Sequence, residues 1–240
     1  MKKYMLIVCV LSALFLIKNI VVDYDWNKDE KIEEENSSSV DAKKFKDDYE
    51  SLNGEKSASG KVYPTIEISE DNVVKYSNSD EIKKVVKSGT GIIYLGYPGC
   101  PWCRNAVPVL LHAAEDAGVD VIYYIDMLNE RDKYVVEDGE LVLDVEGTEQ
   151  YQELLEIFDE YLDDYIIEDD DEEYDTGEKR IYVPMVFFVK DGEIVGVHAD
   201  TVKSQKNPYE FLDDEQYEEL YDIYSDYIHE MLDDICDERC

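Results

Sequence analysis

Gly96-Tyr97-Pro98-Gly99-Cys100-Pro101-Trp102-Cys103 separates an apolar run, Ile92-Ile93-Tyr94-Leu95, from a helical stretch that reaches about Ala117 and meets Gly118. The glycines and Pro98 mark a turn, and the apolar run before them reads as a buried strand. Cys100 therefore falls at the N-terminus of a helix and Cys103 one turn inside it. Free backbone N–H groups and the helix dipole favour a thiolate at such a place. Cys100 is expected as the exposed nucleophile and Cys103 as the buried resolving thiol. Pro101 occupies a position where a helix needs no amide donor. Trp102 is expected as a partly exposed platform beside the sulfurs.

Two other readings of a Cys-x-x-Cys pair compete with this one. A structural zinc takes four ligands, commonly two such pairs. Cys236 and Cys240 would have to supply the second, at a spacing unlike the common knuckle. A purely structural disulfide is the other reading.

Working outward, Val73-Val74-Lys75-Tyr76 reads as a short strand, Ser79 as the cap of a helix through about Lys87 closed by Gly89, and Val121 to Ile125 as a further strand. Asp138-Gly139, between Tyr134-Val135-Val136 and Leu141-Val142-Leu143, is a hairpin signal. Thr148 opens a helix expected to reach about Tyr165; Tyr182 to Val189 reads as a strand, with Asp191-Gly192 turning it into Ile194-Val195-Gly196-Val197. From Asp213 to about Ile235 apolar residues recur at spacings of three and four, an amphipathic helix. Early alternation of strand and helix predicts parallel strands with helices on both faces, and the later hairpin adds antiparallel strands.

Residues 1–22 carry Lys2 and Lys3 followed by a long apolar run. They read as a signal anchor, with a cleaved signal peptide as the alternative. The positive-inside rule places the rest of the chain outside the cytoplasm. Cys9 with Leu6-Ile7-Val8 resembles a lipobox, but Val8 replaces the small residue and the apolar run continues past the cysteine, so Cys9 reads as an apolar residue of the segment. Residues 23–63, rich in Lys, Glu, Asp and Ser, read as a flexible charged linker, leaving 64–240 as the folded domain.

The 240 residues hold 23 Lys+Arg against 59 Asp+Glu, a formal charge of −36, which argues against a nucleic-acid partner. Hydrophobic residues at 44%, with 20 Tyr, supply a core and exclude a chain disordered throughout.

The span from about Val73 to Asp234 resembles the thioredoxin superfamily. The resemblance rests on Cys100-Pro101-Trp102-Cys103, on Pro108 five residues after the second cysteine, on Val183-Pro184, and on Met185-Val186-Phe187-Phe188-Val189-Lys190-Asp191-Gly192-Glu193-Ile194. It implies a thioredoxin-like α/β fold, a central mixed sheet flanked by helices, with a hairpin insertion near 134–143 and an acidic loop near 168–175. Pro108 would kink the active-site helix. Val183 and Pro184 would form the cis-proline loop that packs against the dithiol and binds the extended chain of a substrate. Gly-Tyr-Pro-Gly-Cys-Pro-Trp-Cys, the anchor and the acidic body look most like the bacteriocin-transport accessory group of Gram-positive bacteria. A proline after the first cysteine resembles glutaredoxin and periplasmic oxidase sites. Two positions depart from the pattern. Tyr94 stands where thioredoxins carry a buried Asp, and Asp200 where a glycine is expected.

Cys236 and Cys240 form a second candidate redox pair, against a staple or two unrelated thiols in a chain end. Glu168 to Glu173 fails the EF-hand pattern and reads as a solvated acidic loop. No metal is expected. His112, His198 and His229 are scattered, without ligand spacing.

Two functions follow as expectations. The first is an extracytoplasmic thiol–disulfide oxidoreductase that needs no cofactor, because its dithiol carries two electrons. Its partners would be cysteine-containing exported proteins or peptides and a redox partner protein. The second is a membrane-tethered binding or export-accessory module on the same scaffold, without redox catalysis.

Overall fold

The computed structural model describes residues 39–169 and 172–236. At its centre lies β2 (Gly91–Gly96), every residue of which is buried. A strand covered on both faces has no reason to alternate, which is why Ile92-Ile93-Tyr94-Leu95 reads as one apolar run. On one side β3 (Ile122–Asp126) runs parallel to β2, and β1 (Val74–Tyr76) runs parallel to β3 at the edge. On the other side β8 (Met185–Lys190) is antiparallel to β2 and pairs with β9 (Glu193–Ala199). The sheet order is thus β1-β3-β2-β8-β9, a mixed sheet.

Side-chain alternation along β2 divides the core in two. Ile92 and Tyr94 join Val107, Leu110 and Ala114 of α3 (Pro101–Ala117) and Leu220, Tyr224 and Ile228 of α5 (Asp214–Cys236). Ile93 and Leu95 face the opposite way, against Ile82 and Val85 of α2 (Ser79–Ser88) and Tyr151, Leu154 and Phe158 of α4 (Glu149–Phe158). The molecule is an α/β protein with helices on both faces of a mixed sheet. The cap of α2 is Asn78, whose side chain accepts from the Glu81 amide, one residue before the expected Ser79. At the end of α3, Gly118 takes φ 67°, the left-handed turn that stops a helix at least cost in a residue without Cβ.

The expected linker is corrected over residues 39–63. Residues 39–50 form a helix, α1, in which Ala42, Phe45 and Tyr49 are 2%, 1% and 0% exposed. Their spacings of three and four make one apolar stripe, and Phe45 and Tyr49 enter the Tyr94 core. The charges that look like a linker are the solvent face of this helix, paired as Lys43–Asp47 and Lys44–Asp48. Beyond it, the Asn53 side chain bonds both the amide and the carbonyl of Ile66, and Lys56 bridges Val62. The compact unit begins at Asp41, not at residue 64.

Two further expectations are corrected. The helix opened by Thr148 ends at Phe158, passes through a single turn at Asp159–Tyr161, and gives way to a strand, β6 (Asp163–Asp169). On either side of Asp170 and Asp171, which lie outside the described residues, the acidic stretch is strand: β6 pairs antiparallel with β7 (Glu172–Arg180). What holds the hairpin is Tyr165, buried with its ring 3.9 Å from the Arg180 guanidinium and edge-on to Tyr134 at 5.7 Å, while most of the carboxylates face solvent. Tyr134 belongs to the other hairpin, β4 (Lys133–Glu137) with β5 (Glu140–Val145), whose turn residues Asp138 and Gly139 both take positive φ as the sequence predicts.

The apolar N-terminal segment with Cys9, the remainder of the expected linker, and Cys240 lie outside the described residues, as does the side chain of Cys236. Among the described residues no helix is long and apolar enough to cross a membrane.

Candidate active site

Cys100 is the N-cap of α3, and Pro101 its first residue. The cap is made by sulfur: Cys100 Sγ accepts the Cys103 backbone N–H at 3.2 Å. On its other side the same sulfur lies 3.6 Å from the carbonyl oxygen of Val183. The Val183–Pro184 bond is cis, and Pro184, buried, lacks an amide for the sheet, so β8 starts at Met185 and not at the expected Tyr182. Residues eighty-three apart in the chain thus meet at one sulfur.

The two thiols differ in environment. Burial alone would push the Cys100 thiol up. Hydrogen bonds from Cys103 and from the amides of Cys103 and Trp102, with the nearby charge of Arg131, outweigh that and hold it below the ordinary thiol range. Cys103 has the reverse balance: burial, then its hydrogen bond to Cys100 and the charge there, push it well up. Of the two, Cys100 is therefore the easier to ionise and Cys103 the harder. The expectation of an exposed Cys100 is corrected, since it is only 3% exposed against 0% for Cys103. The Val183 carbonyl lies against it, and Tyr63, Tyr97 and Tyr209 stand close enough for their phenols to sense its charge.

Trp102 is half-buried beside the pair, as expected. Pro108 interrupts the hydrogen bonding of α3 farther along, where it lines a cavity of about 560 Å³ with Val73, Leu111 and His112, apart from the sulfurs. The structure brings Cys100, Cys103 and Val183 together at one sulfur, with Trp102 and Pro184 their neighbours in the chain; Pro108 lines a separate cavity.

A scan against protein-family models and a search of curated proteins each returned no match for this chain. The site must therefore be read from its own geometry.

Sequence reasoning missed four groups there. Arg131 follows β3, with its guanidinium 5.4 Å from the Tyr97 ring. Arg104, next to Cys103, is wholly buried; it donates to the carbonyls of Tyr49, Pro98 and Pro64 and to Asn53 Oδ1. It thereby pins the segment after α1 to the start of α3. Tyr63 reaches the Gly99 carbonyl at 2.9 Å, and Asn105 donates to the carbonyls of Pro101 and Pro208. None carries a local signal: each is defined by a partner distant in the chain. A cysteine followed by an arginine is a visible pattern, but only the fold shows that the arginine turns inward.

Proposed function

We propose that the chain is a thiol–disulfide oxidoreductase of the thioredoxin superfamily, acting outside the cytoplasm on cysteine-containing proteins or peptides. The observation that carries this reading is the placement of Cys100 Sγ between the α3 amides and the Val183 carbonyl, with Cys103 sealed behind it. A lowered nucleophile in front of a raised, buried thiol is the polarity that a two-step exchange requires.

In that reaction the Cys100 thiolate attacks one sulfur of a substrate disulfide. The substrate bond breaks, its other sulfur leaves as a thiolate and takes up a proton, and a mixed disulfide remains on Cys100. Cys103 then gives up its proton and attacks Cys100 Sγ. The Cys100–Cys103 bond forms, the second substrate sulfur leaves as a thiol, and two electrons have passed to the substrate. The reverse sequence oxidises a substrate dithiol. The half-buried Val183, held by the Val183-Pro184 turn, and Trp102 would hold the substrate chain beside the sulfur. The dithiol needs no prosthetic group. The lysines and apolar run of residues 1–22 support an extracytoplasmic place, tethered or secreted.

A trapping experiment tests this. With a peptide disulfide, Cys103→Ser should accumulate a covalent adduct at Cys100, and Cys100→Ser should form none. Wild-type protein that exchanges with no disulfide while still binding export partners would mean a non-catalytic docking module.

A further inference from the structure

Beyond the sulfurs, α3 lines the cavity of about 560 Å³ with Pro108, Leu111, His112 and Glu115, which recur at spacings of three and four. Residues 67–73, the segment that leads into β1, line it as well. At the end of α3, Gly118 turns at φ 67°, and a Cβ there would meet no atom within 4 Å. The volume falls within the range of about 300–1,000 Å³ typical of clefts that hold a ligand.

Both walls are fixed from behind. Lys46 Nζ donates to the Ile68 carbonyl at 2.7 Å, and the Ile68 amide donates to Glu50 Oε1 at 2.8 Å. Asn72 Nδ2 donates to the carbonyls of Ala42 and Ser69. These bonds tie residues 67–73 to α1. On the α3 side, His112 Nδ1 lies 2.8 Å from the Tyr217 hydroxyl of α5.

The lining divides into two chemistries. Val73, Pro108 and Leu111 are only half-buried and give the cleft an apolar floor. Glu67, Asp71, Glu115 and Asp120 are exposed and form its rim. No lysine or arginine lines the cleft, and none of the four carboxylates forms an ion pair among the described residues. Lys46, behind the wall, is held by Glu50 at 2.7 Å. A lysine or arginine side chain suits both parts, with its methylene stem on the floor and its charged head at the rim. A neighbouring apolar side chain would bury more of the same floor. A second copy of this chain, at −36, would bring like charge to that rim.

We propose that this cleft binds a segment of another polypeptide in which lysine or arginine stands beside apolar residues. The rim of exposed side chains leaves room for the bound chain to run on past the cleft. At a rise of about 1.5 Å per residue, Pro108 lies roughly 12 Å along α3 from Cys100, so a short occupant leaves the dithiol uncovered. The site stands whether or not the dithiol turns over.

The test uses the full chain and a fluorescently labelled, cysteine-free peptide, Lys-Leu-Lys-Phe-Lys, followed by anisotropy in about 0.15 M salt. Saturable binding is expected, with Lys-Ser-Lys-Ser-Lys weaker by roughly tenfold or more because it lacks the apolar contacts. Glu115→Lys with Asp120→Lys should weaken the first peptide by roughly tenfold or more. Glu67→Lys with Asp71→Lys, from the other wall, repeats the test should that pair not fold. Glu140→Lys with Glu146→Lys makes the same change of charge away from the cleft and should stay within about twofold. Saturating peptide should leave the rate of Cys100 alkylation by iodoacetamide unchanged. Absence of binding, or equal losses in the cleft and control variants, would overturn the proposal. Protection of Cys100 by the peptide would overturn it too, by placing the peptide on the dithiol.

Discussion

The Cys100 sulfur sits 3.6 Å from the carbonyl oxygen of Val183, the residue that leads into Pro184. One sulfur therefore borders both the helix that activates it and the turn where a substrate chain would lie. Replacement of Pro184 should separate these two roles. Pro184→Ala is expected to lower kcat/KM for a peptide disulfide by roughly tenfold, a loss of about 1.4 kcal/mol, because chain alignment suffers. Alkylation of Cys100 by a small reagent should change far less. Stopped-flow exchange and iodoacetamide kinetics, compared on the same variant, check this; parallel losses in both would place the defect in the thiol itself.

Arg131 is a second handle on the nucleophile. Burial works against the Cys100 thiolate, while the α3 amides and the Arg131 charge work for it, and the net effect is a lowered thiol. Arg131→Met should therefore raise the pH midpoint of Cys100 alkylation. Linkage gives the same sign for stability. A group with a depressed folded pKa stabilises the fold above the pKa of an unfolded cysteine, and that contribution fades as pH falls through the folded value. The wild-type advantage over Arg131→Met should accordingly shrink on acidification, as read from urea unfolding midpoints.

The helix at residues 39–50 supplies a test of where the folded unit begins. Phe45 is 1% exposed and packs 4.9 Å from Tyr124, edge to face, and 4.6 Å from Tyr49. Phe45→Ala should cost about 3–5 kcal/mol. Lys43→Ala, which removes only the exposed pair with Asp47, should stay within about 0.5 kcal/mol. Thermal or urea denaturation distinguishes a packed helix from a spacer, for which both substitutions would be silent.

What the sequence revealed and what it hid divide along a physical line. Cys100-Pro101-Trp102-Cys103, Asp138-Gly139 and Asp191-Gly192 were readable because a cap or a tight turn is decided by a few adjacent residues. α1 was not, because three apolar residues, Ala42, Phe45 and Tyr49, stand among charges that satisfy a linker's composition equally well. The β6–β7 hairpin was hidden for a similar reason: its strands run through carboxylates, and Tyr165 gains its meaning only from Arg180 and Tyr134. Tyr94 was visible as a departure from the pattern that the sequence resembles, but its hydrogen-bond partner Tyr49 was not, since the pair meets only through tertiary packing. Arg131 and Arg104 are invisible for the same cause.

His198 offers a pH test away from the dithiol. Burial lowers its pKa, against the pull of Asp200 and Glu219, and its Nε2 lies 2.8 Å from the Thr201 carbonyl, so the neutral ring donates there. Because the folded ring resists protonation, the unfolded chain binds the extra proton first. Stability from this residue is complete above about pH 6.5 and is lost as pH falls below it. His198→Gln removes the titration; the wild-type stability advantage should narrow between about pH 8 and about pH 5. A constant difference across that range would show that the ring does not titrate with folding.

The central claim is that Cys100 and Cys103 are a reversible redox couple. The most direct measurement is a redox titration of the full chain in glutathione buffers, with Cys9, Cys236 and Cys240 replaced by Ser and the remaining thiols counted by alkylation mass. The account predicts one reversible two-electron transition, with a potential between about −270 mV, where reductants of this kind lie, and about −120 mV, where oxidants do. Thiols that stay reduced, or that fail to return after oxidation, would contradict it.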